Sequence, residues 1–188
     1  MRRGRAGLSG ALVVATVALT SCVGIGAVDR GRVTAEAQQR GGGVTTALVD
    51  EAIAAVAAET GADPLVVHAV TATLARVTVV VPAADGAGRE AWTYGTSGLY
   101  GGRGLEGPDR PDEPGGEPFP VAVGDLDVDG ATAAARAAAG PGLWVASVTI
   151  GRPATGGEPA TTVAVDDGSG PTPVVIDADG AVVPEGPR

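Results

Sequence analysis

Lysine and asparagine are absent from this 188-residue chain, and it has one Cys and one His. Aromatic residues make up 3 % of it. All 13 basic residues are Arg, set against 22 Asp and Glu, for a formal charge of −9. Each shortage excludes something. A nucleic-acid partner is not expected, because phosphate neutralisation needs clustered positive charge. One Cys cannot form a disulfide within the chain, and one Cys with one His cannot build a Cys/His zinc cage. Arg in place of Lys, beside abundant Ala, Gly and Val, fits a GC-rich genome such as that of an actinobacterium. Gly (31) and Pro (14) are in excess and fill nearly a quarter of the chain.

The N-terminus has the layout of an export signal. Arg2, Arg3 and Arg5 precede an uncharged, mostly apolar run from Ala6 to Thr20. The run is shorter than the roughly 20 residues of a spanning helix and matches a signal-peptide core. A twin-arginine signal would carry bulky apolar residues after the pair, and here Gly4, Arg5 and Ala6 follow. The run ends in Leu19-Thr20-Ser21-Cys22, and Cys22 is the chain's single cysteine. This segment resembles the lipobox of bacterial lipoproteins. The resemblance implies cleavage after Ser21, acylation of Cys22, and anchoring at the outer face of the bacterial cytoplasmic membrane. Two or more acyl chains on one residue anchor stably, whereas a single chain is marginal. Loss of Arg2, Arg3 and Arg5 with residues 1–21 takes the formal charge from −9 to −12. An anionic membrane surface repels such a body, so lipid alone would hold it there.

Residues 22–44 are Gly-rich, include Gly41-Gly42-Gly43, and read as a tether. A first α+β module is expected over 45–100. Its helix is capped by Thr45 or Thr46, carries Leu48, Val49, Ala52, Ile53 and Val56 on one stripe, and stops at Gly61 before Pro64. Strands follow at Leu65–Thr71, Arg76–Val81 and Glu90–Tyr94, with Asp85-Gly86 as a hairpin turn. Residues 101–120 hold so many Gly and Pro that they read as a linker. A second module covers 121–188. Asp129 caps an Ala-rich helix that stops at Gly140-Pro141. Strands follow at Leu143–Ile150, Thr161–Asp166 and Pro173–Asp177, with turns at Asp167-Gly168 and Asp179-Gly180. The shared order of helix and three strands suggests an α-β-β-β duplication at an offset of about 80 residues. Aligning the halves sets Trp144 against Val66 and Val148 against Val70, with Trp144, Val148 and Ile150 on one core-facing side of their strand. The fold class is therefore α+β, two small modules of a helix on an antiparallel meander.

The second half, with its Ala-rich helix and its closing Asp177-Ala178-Asp179-Gly180 turn, resembles PepSY-type modules of bacterial envelope proteins. That resemblance implies a binding or inhibitory module, not an enzyme, and assigns no functional residue.

Local motifs give no assembled chemistry. Asp125, Asp127 and Asp129 with Gly130 match the first half of a calcium loop, but Arg136 stands where the bidentate Glu belongs. Gly102, Gly104 and Gly107 spell a dinucleotide fingerprint that Pro108, Pro111 and Pro114 bar from entering a helix. A Ser–His–acid triad would have to use His68, which is expected in mid-strand on the face of Val66 and Val70. The acidic run Glu106 to Asp129 reads as solvated linker. Trp92 and Tyr94 are expected in the core, and Tyr100, among glycines, as an exposed contact. No catalytic residue, metal or cofactor is expected. The function that fits is non-catalytic binding or regulation of another envelope protein. The alternative is a carrier holding an apolar ligand or lipid between helix and sheet.

Overall fold

The computed structural model describes residues 43–97, 102–111, 116–140, 143–153 and 156–184, together with 32, 33 and 35. Within residues 43–184 the described chain is α+β, with two helices over a mostly antiparallel sheet. Helix α1 spans Thr46–Thr60. The Thr45 side chain accepts from the Leu48 N–H at 3.3 Å and so satisfies one of the unpaired N–H groups of the first turn. Gly61, at φ 68°, ends the helix in the left-handed conformation that glycine adopts without a Cβ penalty. Leu48, Val49, Ala52, Ile53 and Val56 are buried, which is the stripe that 3.6-residue spacing selects.

Helix α2 spans Val128–Ala139. Its cap lies two residues before the expected Asp129. Asp127 is the cap, and its Oδ1 accepts from the Gly130 N–H at 2.8 Å. Asp129 lies in the first turn instead and joins the two helices. Its N–H donates to Thr46 Oγ1 at 3.0 Å, and its Oδ2 accepts from the Thr46 N–H at 3.3 Å. The carboxylate therefore serves the positive ends of both helix dipoles.

The described residues form ten strands, in chain order β1 Leu65–Val67, β2 Ala69–Thr73, β3 Arg76–Pro82, β4 Arg89–Ser97, β5 Gly102–Asp109, β6 Phe119–Val121, β7 Trp144–Gly151, β8 Ala160–Asp166, β9 Pro171–Ile176 and β10 Val182–Val183. β1 pairs with β6. The other eight form one sheet in the order β10-β9-β8-β7-β2-β3-β4-β5. The halves join at β2 and β7, where Val70 lies opposite Ile150, Thr71 opposite Thr149 and Ala72 opposite Val148. α1 packs on β1, β3, β4 and β5, and α2 on β7 to β10. Both helices feed one buried cluster, to which α1 contributes Ile53 and Val56, α2 contributes Val128 and Ala135, and the sheet contributes Val70, Val79, Val148 and Val163.

Three expectations change. Residues 102–109, expected as linker, form strand β5. It lies at the sheet edge, where one side of the strand has no ladder to supply, so Pro108 and the glycines are tolerated. The strand expected over Leu65–Thr71 breaks at His68, between β1 and β2. The buried side chains on either side are Val67 and Val70, while Val66 is 40 % exposed. In β7 the register shifts between Val145 and Ser147. This bulge places Val145, not Trp144, in the core with Val148 and Ile150, because an extra residue reverses the alternation. Trp92 and Tyr94 do pack against the core.

Candidate functional site

Both helices cover the same face of the sheet. Residues opposite one another in an antiparallel ladder point to the same side, so the register gives the composition of the uncovered face. Val79 and Trp92 point toward the helices, and Thr78, paired with Thr71 and Thr93, points away. Thr93, Thr78, Thr71, Thr149 and Thr162 thus stand in one row across β4, β3, β2, β7 and β8. At its centre the Thr71 and Thr149 hydroxyls are 3.3 Å apart and hydrogen-bonded. The adjacent row is Ala91, Val80, Ala69, Gly151 and Ala160, all small or aliphatic.

A groove of about 880 Å³ lies over this surface. Thr71, Thr78, Thr149 and Thr162 line its floor, with Ala69, Val80, Ala91 and Ala160 beside them. Among the described residues, Arg76, Arg152 and His68 are its charged or titratable lining. Residues 116–118 run along one rim. His68 Nδ1 lies 2.8 Å from the Gly116 carbonyl oxygen, and Arg152 donates to the Pro118 carbonyl at 3.4 Å. A Cβ on Gly116 would fall 2.0 Å from the Arg152 carbonyl oxygen, so only glycine permits this approach.

A second concavity, about 600 Å³, opens on the other side of the sheet. Phe119, Val121, Ile150 and Ile176 contribute apolar lining, and Ala131 brings α2 against them. Asp125, Asp127, Asp177 and Asp179 also line it, but each of the first three is occupied locally. Asp125 Oδ2 accepts from the Ala122 N–H, Asp127 caps α2, and Asp177 Oδ1 accepts from the Asp179 and Ala181 N–H groups. Among the described residues no group of three or more His, Cys, Asp or Glu is placed to hold a metal ion.

One ionic cluster ties α1 to the β4–β5 hairpin. Glu51 pairs with Arg103, and the Tyr94 hydroxyl donates to Glu51 Oε2 at 3.1 Å. The Arg103 hydrogen bond holds the Glu51 carboxyl below the usual glutamate range. Burial, helped by the Glu51 carboxylate, pushes the Tyr94 phenol above its ordinary value. Because the folded-state carboxyl is depressed, the pair's contribution is complete above the ordinary glutamate range. It is lost as pH falls through the lower folded value. With Glu51 and Arg103 44 % and 28 % exposed, that contribution is at most about 1 kcal/mol. Glu51→Gln is expected to lower the Tyr94 titration midpoint, followed by ultraviolet absorbance in a Tyr100→Phe background. An unchanged midpoint would show that the carboxylate does not act on the phenol.

Cys22, Leu19, Thr20, Ser21 and Tyr100 lie outside the described residues. His68, expected on a strand face, instead joins the rim of the groove. The threonine row was missed because its members come from five strands, and only pairing order aligns them. Comparison with protein-family models, with curated proteins and with solved structures finds no match to this chain. Among the described residues no helix is long and apolar enough to cross a membrane.

Proposed function

We propose that the chain is an extracytoplasmic lipoprotein with a non-catalytic binding or regulatory role towards another envelope protein. Acyl chains on Cys22 hold it at the outer face of the bacterial cytoplasmic membrane. Arg2, Arg3 and Arg5, the apolar run, and Leu19-Thr20-Ser21-Cys22 support the anchor. The observation that carries the binding role is the sheet face that neither helix covers, with its groove over the threonine row. The finer reading of the fold is an α-β-β-β duplication of PepSY-like modules. It draws support from the mirrored strand order on either side of the β2–β7 seam and from each helix packing on its own half. A second reading, a carrier of an apolar ligand, is favoured by the 600 Å³ concavity between α2 and the sheet. It predicts lipid in organic extracts of the purified protein.

The anchor is tested by metabolic labelling with a palmitate analogue, followed by membrane fractionation and crosslinking. The native chain is expected to take up label, lose residues 1–21 and capture a protein partner at the membrane. Cys22→Ala is expected to take up none and to keep its signal segment. Unchanged labelling and processing in Cys22→Ala would refute the anchor. Failure of the native chain to capture any protein would refute the binding role.

A further inference from the structure

The groove over the threonine row differs in charge from the rest of the chain. Asp and Glu outnumber Arg by 22 to 13 overall, yet among the described residues no carboxylate lines this groove, whereas Arg76 and Arg152 do. Among the described residues neither arginine forms an ion pair with a carboxylate. Arg152 Nε is buried, and among the described residues no group accepts from it. Arg76 opens β3 beside Thr73, whereas Arg152 follows β7 five residues beyond Ser147, the partner of Thr73. Strand rise and spacing put their Cα atoms roughly 20 Å apart, at opposite ends of the groove. An extended polypeptide covers that distance in about six residues.

The floor distinguishes between anionic ligands. An acyl chain laid along it would strip water from the threonine hydroxyls and offer them no partner. A polypeptide brings carbonyl, amide and hydroxyl groups that can pair with them.

We propose that this groove docks an extended acidic segment of a partner protein, with one carboxylate on Arg76 and a second on Arg152. This rests on the binding role proposed above and specifies its partner. Between the two anchors, alternate side chains of the segment face the threonine row, and the small residues beside the row let its backbone approach.

The test is fluorescence anisotropy of the full-length processed protein with a labelled heptapeptide, Glu-Val-Thr-Val-Thr-Val-Glu. Its two glutamates share one face at about the required span. Saturable binding that weakens with salt is expected. Replacing both glutamates by glutamine, or introducing Arg76→Gln or Arg152→Gln, is expected to weaken it by about tenfold or more. Arg136→Gln, on the exposed side of α2, should leave it unchanged, and circular dichroism should show all three variants folded. The proposal fails if the peptide does not saturate, if the glutamine version binds equally, or if the groove variants bind as the native chain does. It fails equally if oleate displaces the peptide at lower concentration than the unlabelled peptide does, which would mark an amphiphile site. If the Arg76→Gln/Arg152→Gln double variant still captures the membrane partner, the binding role stands and the groove assignment falls.

Discussion

Val148→Asp is expected to leave the chain without a cooperative fold. Val148 is 1 % exposed and sits in β7 between Ala72 of β2 and Val163 of β8. Its neighbours on the helix-facing side are aliphatic, so a carboxylate there would lose water and gain no partner. The loss is on the order of 4 kcal/mol or more, close to the whole stability of many small domains. The site also lies on the seam between halves, so the damage does not stay local. The two tryptophans report this directly, because Trp92 lies in β4 and Trp144 in β7. Trp92→Phe and Trp144→Phe each leave one reporter, and in each variant the fluorescence midpoint is expected to coincide with that variant's circular-dichroism midpoint. Two separate midpoints would show that the halves are independent and that the shared core does not couple them. The milder Val148→Ala keeps the position apolar and should lower that midpoint while preserving a single transition.

Asp129→Ala is expected to cost about 1–2 kcal/mol, more than an ordinary exposed substitution. The side chain is solvent-accessible, so burial contributes little. What is lost is a carboxylate at the start of α2 that also accepts from the first residue of α1. Both helix ends lose a favourable charge. Urea denaturation provides the measurement. Asp129→Asn should recover part of the loss, since its amide oxygen still accepts the Thr46 N–H. A cost within about 0.5 kcal/mol, the usual range for surface changes, would mean that the two helix ends are satisfied by water.

Most elements were legible because local chemistry specified them. Thr45 and Gly61 bound α1 as capping rules require. Gly86, Gly168 and Gly180 all have positive φ in hairpin turns, where Asp-Gly pairs mark the reversal. The alternation of Val77, Val79 and Val81 gave β3 and its inward face. What stayed hidden depends on tertiary context. β5 forms because β4 supplies a ladder to one side of a Gly/Pro-rich segment whose own propensity is poor. The displacement of Trp144 from the core follows from one bulged residue, invisible until β8 fixes the register. The groove needed the β2–β7 seam, a pairing between residues some 78 positions apart, before Thr71 and Thr149 became neighbours. His68, the only imidazole, drew attention as chemistry and is better explained as a fastener for residue 116.

Among the described residues the eight-stranded sheet is bounded by β5 and β10, and both are poor templates for another chain. β5 lacks an N–H at Pro108 and carries Arg103, Glu106 and Asp109 along its length. β10 is two residues long. Unpaired strand margins are where folded proteins recruit one another into aggregates, and shortness, proline and charge are the usual defences. On the membrane proposed for it, lipidated copies diffuse in two dimensions, at far higher local concentration than in free solution. The sheet's blunt ends let neighbouring copies collide there without stitching into a continuous β-structure.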